Sequence, residues 1–157
     1  MGDRNIIVAL GFVLIPATAS ADPGTVFINF DGPTLSEGSR DDASSDVTAI
    51  AELGLTVDPF GDDAAQRRAV VEAVKADFEP FGLRVVDERP SSGDYIMAVV
   101  TPTNPFVDGV TGVAVNDCDD ADGPTNVVFA FFSGPGDEAL DVATTICLLY
   151  TSDAADE

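Results

Sequence analysis

The run Asn126 to Phe132 (NVVFAFF) constrains this chain most, because every position after the first is apolar. A strand with one wet face alternates apolar and polar residues; an unbroken apolar run of this length reads as a strand buried on both faces. A second β-rich run, Thr25 to Phe30 (TVFINF), is ended by the turn signal Asp31-Gly32-Pro33. Between these runs the pattern predicts a helix from about Ala64 to Phe78. Asp63 can N-cap it, and Gln66 three residues later completes a capping-box-like pair. Val71, Val74 and Phe78 fall on one stripe, Arg67, Arg68, Glu72 and Lys75 cover much of the rest, and Pro80 and Gly82 stop it. Further strands are expected at Leu83 to Val86, Tyr95 to Thr101 and Gly112 to Val115. After Ser133-Gly134-Pro135-Gly136, Asp137 can cap another helix, Glu138 to Ile146. Residues 34–61 read as a long connection rich in Ser, Asp and Gly, with a weak helical patch around Asp46 to Leu53.

A strand–helix–strand start favours parallel pairing through a crossover. The expected fold class is therefore α/β (α+β): a mixed twisted sheet of about four to five strands, one long helix and the start of a second. No internal repeat is present.

Both ends read differently from the middle. Arg4 and the apolar run Ile6 to Ile15, followed by Ala19-Ser20-Ala21, form a secretory signal over residues 1–21; the apolar run is too short to span a bilayer. Secretion is thus the expected localisation, with no membrane association after signal cleavage. Residues 147–157 (CLLYTSDAADE) match the translation of a transposase adaptor used in preparing sequencing libraries. On this reading the natural sequence departs from the printed one after Ile146, and the domain proper is residues 22–146, enough for one modest core. Cys147 then belongs to the tail, and Cys118 is left as an odd cysteine whose disulfide partner lies beyond the chain.

Seven Lys and Arg stand against 28 Asp and Glu, a net charge of −21. Such a surface repels nucleic-acid phosphates and anionic lipid, so neither is an expected partner. Asp117, Asp119, Asp120 and Asp122 crowd around Cys118 and are candidate calcium ligands, since calcium favours clustered carboxylate oxygens. They are not an EF-hand, because with Gly123 at loop position six Phe129 falls where the bidentate Glu belongs. The acidic stretch Arg40-Asp41-Asp42 to Asp46 is a weaker calcium candidate and reads as a solvated loop. Ile28 to Leu35 resembles the D-x-D-G-T strand end of haloacid-dehalogenase-like phosphotransferases, but Asn29 stands at the nucleophile position and an amide does not form an aspartyl phosphate. The chain has no histidine, which excludes Ser–His and Cys–His nucleophiles and an ordinary zinc site among its own residues. No catalytic residue is assigned.

Taken together, the phrases TVFINFDG, PFGDD, AVVEAVKADFEPFGLRVVDERP, DYIMAVV, GVAVNDCDDADGPTNVVFAFF and EALDVATTI resemble secreted zincin-like metallopeptidases, matrixin-like and myxobacterial-type forms above all. The resemblance covers residues 25–146 and rests on element order and these short phrases. It implies a zincin-like N-terminal subdomain whose last helix is the start of the active-site helix. That helix carries H-E-x-x-H in the family: two histidines one turn apart hold zinc, and the Glu activates a bound water. Those residues would follow Ile146, so no zinc ligand or general base is carried over to this chain, which is expected to be inactive by itself. The resemblance also implies a peptide or protein substrate, held by β-addition at an edge strand near Gly112, Val113, Ala114 and Val115. The contrasting expectation is a complete, non-enzymatic secreted acidic domain that binds calcium or serves adhesion.

Overall fold

The computed structural model describes residues 24–50, 55–61, 63–102, 104, 110–115, 125–132 and 141–146. Its centre is a mixed five-stranded sheet. β1 (Thr25–Asn29) is followed by three short strands, β2 (Thr34–Glu37), β3 (Val47–Thr48) and β4 (Leu55–Thr56). Helix α1 (Ala64–Phe78) and a 3-10 turn (Glu79–Phe81) come next, then β5 (Arg84–Val86), β6 (Ile96–Thr101), β7 (Gly112–Ala114) and β8 (Val127–Phe131). Residues 141–146 are helical and are called α2. The main sheet has the order β5-β1-β6-β8-β7. β5, β1, β6 and β8 run parallel, and β7 closes one margin antiparallel to β8.

α1 matches the expected bounds for physical reasons visible in its sequence. Asp63 takes an extended conformation and its carboxylate accepts from the Ala65 N–H at 2.8 Å, satisfying one of the donors a helix start leaves open. Val70, Val71, Val74 and Phe78 form the buried face. Glu79 and Pro80 open the tighter turn, and Gly82 ends it in the left-handed region at φ 69°, where a side chain would be strained.

The prediction for NVVFAFF is met over Val127–Phe131, where all five residues of β8 are buried, while Asn126 and Phe132 flank the strand half-buried. Alternation sends them to two different cores. Val128 and Ala130 join Val26, Ile28, Ala98 and Val100 beneath α1 and α2, where Val70, Val74, Phe78, Val142, Ala143 and Ile146 pack. Val127, Phe129 and Phe131 join Phe27, Met97 and Val99 on the opposite face, under Leu35, Ala43 and Val57. Each fully buried Val, Phe or Met contributes about 1.5–3 kcal/mol, so the doubly covered strand is a large share of the stabilisation.

The cover on that second face was not legible as such. Residues 34–61, expected to be a loop with a helical patch, instead form a strap containing a small sheet of order β3-β2-β4. Where the patch was expected, Val47–Thr48 is a strand and residues 49–50 bend; residues 51–54 lie outside the described residues. The strap starts at Gly32, whose φ is 69° and where a Cβ would stand 2.6 Å from the Val57 carbonyl, so only glycine fits. No described helix is long and apolar enough to cross a membrane.

Candidate functional site

The edge-strand expectation falls on β7 and is one residue too long: the strand ends at Ala114, and Val115 follows it unpaired in the ladder. In register, Gly112 lies opposite Ala130, Val113 opposite Phe129 and Ala114 opposite Val128. The Phe131 N–H donates to the Thr111 carbonyl at 2.8 Å. Thr111 and Val113 therefore face β8 with their backbone groups, because these alternate from side to side along a strand. The N–H and C=O of Gly112 and Ala114 point the other way, and among the described residues no strand pairs there. Gly112 has no side chain and Ala114 a single methyl, so neither hinders an approaching backbone. The edge is short and half-buried, as edges that avoid self-association usually are.

Where β7 stops, a side chain from the strap takes over. Asp41, only 4% exposed, accepts from the Val127 N–H at 2.8 Å through Oδ2 and from the Ala49 N–H at 2.7 Å through Oδ1. The adjacent backbone reinforces this junction: the Ala43 N–H donates to the Thr125 carbonyl at 2.9 Å, and the Thr125 hydroxyl to the Asp41 carbonyl at 3.3 Å. Reading Arg40 to Asp46 as a solvated acidic loop missed this residue. Asp42, next to it, behaves as composition suggests, facing solvent-side hydroxyls. Its Oδ1 accepts from the Ser44 hydroxyl at 2.6 Å and its Oδ2 from the Ser45 hydroxyl at 2.8 Å, which hold its pKa below the usual carboxylate value.

A clamp from the segment after β5 fixes the strap's other side. The Arg89 guanidinium pairs with Asp46, donates to the Ala43 carbonyl at 3.2 Å and to the Tyr95 hydroxyl at 3.3 Å, and lies 5.5 Å over the Phe27 ring. Burial works against its charge, but the hydrogen bond and attraction of Asp46 outweigh it and raise the pKa. Beside the clamp is an open cavity of roughly 300 Å³, lined by Ser44, Arg89, Asp94, Tyr95 and Thr125 among others. Asn29, at the end of β1, is buried: its amide oxygen accepts the Asp31 N–H at 2.9 Å in the turn after β1, and its amide N–H donates to the Met97 Sδ at 3.4 Å, the sulfur that Arg89 also reaches at 3.7 Å. Arg67 ties the same turn to α1 by pairing with Asp31 at 3.2 Å and donating to the Gly61 carbonyl at 2.8 Å.

Asp117, Asp119, Asp120 and Asp122, with Cys118, lie outside the described residues, as do residues 1–21 and 147–157. Among the described residues the donors do not fit a catalytic zinc. The chain has no histidine, and among the described residues no group of three or more His, Cys, Asp or Glu is placed to hold a metal. Of the described turns of α2, Val142, Ala143 and Ile146 face the core, and the single ionisable side chain is Asp141, which is exposed. Compared with known proteins, the chain matches no family model, no curated protein and no solved structure.

Proposed function

We propose that this chain is the N-terminal part of a secreted zinc endopeptidase of zincin-like fold, and that the outer edge of β7 receives its extended peptide substrate. The observation that carries the reading is the position of β7. It is an antiparallel margin beside β8, with the backbone groups of Gly112 and Ala114 turned outward, and β8 is the last described strand before α2. The element order of strand, crossover helix, strands and final helix is the one on which the resemblance rested. An incoming strand would exchange hydrogen bonds with Gly112 and Ala114, which gives affinity from main chain alone and fits a substrate bound through its backbone.

The residues present hold no step of hydrolysis. Their part in this reading is scaffolding: β7 offers the edge, β8 sets its register, and α2 leads toward the place where the family's zinc-binding helix turns would stand. The deciding experiment is to amplify and sequence the locus from source DNA. An H-E-x-x-H segment in frame after Ile146 is expected, in place of the adaptor-like residues 147–157. A natural continuation without any such helix would refute the proposal. The purified 157-residue chain is expected to show no peptidase activity, and zinc-dependent cleavage by it would overturn the placement of the ligands beyond Ile146.

A further inference from the structure

We infer that Asp41 is a stop that sets the length of the β7 edge, its carboxylate standing in for the carbonyl of Val115. The geometry of β8 leads to this. Phe132 donates to the Thr101 carbonyl of β6 at 3.0 Å, and the Asn126 carbonyl accepts from Met97 of β6 at 2.9 Å. Even-numbered residues of β8 thus turn their backbone groups toward β6. The odd-numbered ones turn toward β7, as the bond from Phe131 to Thr111 confirms. Val127 belongs to the odd row. Continuing the register by one step places it opposite Val115, whose carbonyl would be its acceptor. Asp41 Oδ2 holds that N–H at 2.8 Å instead.

One N–H supports one strong acceptor, so the two arrangements compete: β7 ends at Ala114 with Asp41 engaged, or runs on through Val115 with Asp41 displaced. The strap decides between them, since Ala49 and Thr125 anchor Asp41 independently of β7. This deepens the peptide-edge reading and rests on it for its functional meaning. Val115 faces β8, so pairing it would add no outward backbone group by itself; what Asp41 sets is where the ladder behind the outward-facing Gly112 and Ala114 ends. Asp41 is a positioning residue for that edge, acting through Val127 without touching a ligand.

The test needs no peptide, so it stands or falls apart from the edge reading. In the native 157-residue chain, scalar coupling through the hydrogen bond is measured between the Val127 amide nitrogen and candidate acceptor carbons. Coupling to the Asp41 carboxylate carbon is expected; coupling to the Val115 carbonyl carbon would overturn the inference. Amide hydrogen exchange is then compared with Asp41→Ala. The Ala49 amide is expected to lose protection by about 100-fold, while Val127 changes by less than about tenfold and Val115 carbon shifts move to β values, as the strand extends. Equal loss of protection at Ala49 and Val127 with unmoved Val115 shifts would show a plain structural tie and refute the stop.

Discussion

Replacing Arg89 with Met removes the strap's clamp while keeping most of the side-chain stem, and its cost can be assembled from the contacts. The Asp46 pair joins side chains 35% and 36% exposed, so water screens it and it contributes about 0.2–1 kcal/mol. Charged hydrogen bonds to the Ala43 carbonyl and Tyr95 hydroxyl contribute about 1.5–3 kcal/mol each when buried, and about 1 kcal/mol each at this exposure. The guanidinium over Phe27 adds about 0.5–1 kcal/mol. Neither acceptor is stranded, since Tyr95 still donates to the Ala43 carbonyl at 3.2 Å, so no further penalty arises. The expected loss is about 3 kcal/mol, within the range for a single broken network. Urea unfolding followed by far-ultraviolet circular dichroism reads it as a lower midpoint at unchanged slope. Asp46→Asn alone should cost less than about 1 kcal/mol, because the pair is the screened part. A loss under about 0.5 kcal/mol for Arg89→Met, or equal losses for the two variants, would refute the clamp as described.

Phe129→Ala, at a fully buried position between the sheet and the strap, should cost about 3–5 kcal/mol in the same assay. Asp63→Ala should cost about 1 kcal/mol and fray the first turn of α1, seen as faster exchange of the Ala65 amide. The Asp42 carboxylate should titrate by NMR below the ordinary aspartate value. Its folded pKa is depressed, so its contribution is complete above the unfolded pKa and is lost as pH falls through the folded one. Ser44→Ala should move that midpoint upward, and an unchanged midpoint would show that the hydroxyl is not the main cause.

Elements whose residues repeat a strong local pattern were legible. α1 announces itself through a cap, a stripe and a Pro–Gly stop, and the Val- and Phe-rich runs of β1, β6 and β8 through apolar continuity. The strap was not legible, because β3 and β4 are two residues long and no period can be read from two residues. Its ordering comes from Leu35, Ala43 and Val57 meeting a sheet face assembled from distant residues. Asp41 was hidden for a related reason. Nothing in its neighbourhood separates a carboxylate bound for the interior from Asp42 beside it; the difference is an N–H 86 positions away. The same bond explains why the edge strand ends before Val115, although Val115 is as β-prone as Val113.

The insertion of β8 between β6 and β7 also orders events in time. On a growing chain β7 emerges before β8, yet β8 is its single neighbour among the described strands, so the edge strand waits for residues made later. The strap waits longer still, since Asp41 has left the ribosome long before Val127 exists. Until then the sheet face formed by Phe27, Met97 and Val99 has no β8 beside it, and the strap above it is held by the Arg89 clamp without the Asp41 bond. The arrival of β8 is thus the step that seats both the edge strand and the strap's second tie, and a nascent chain halted just short of it would be a target for chaperones.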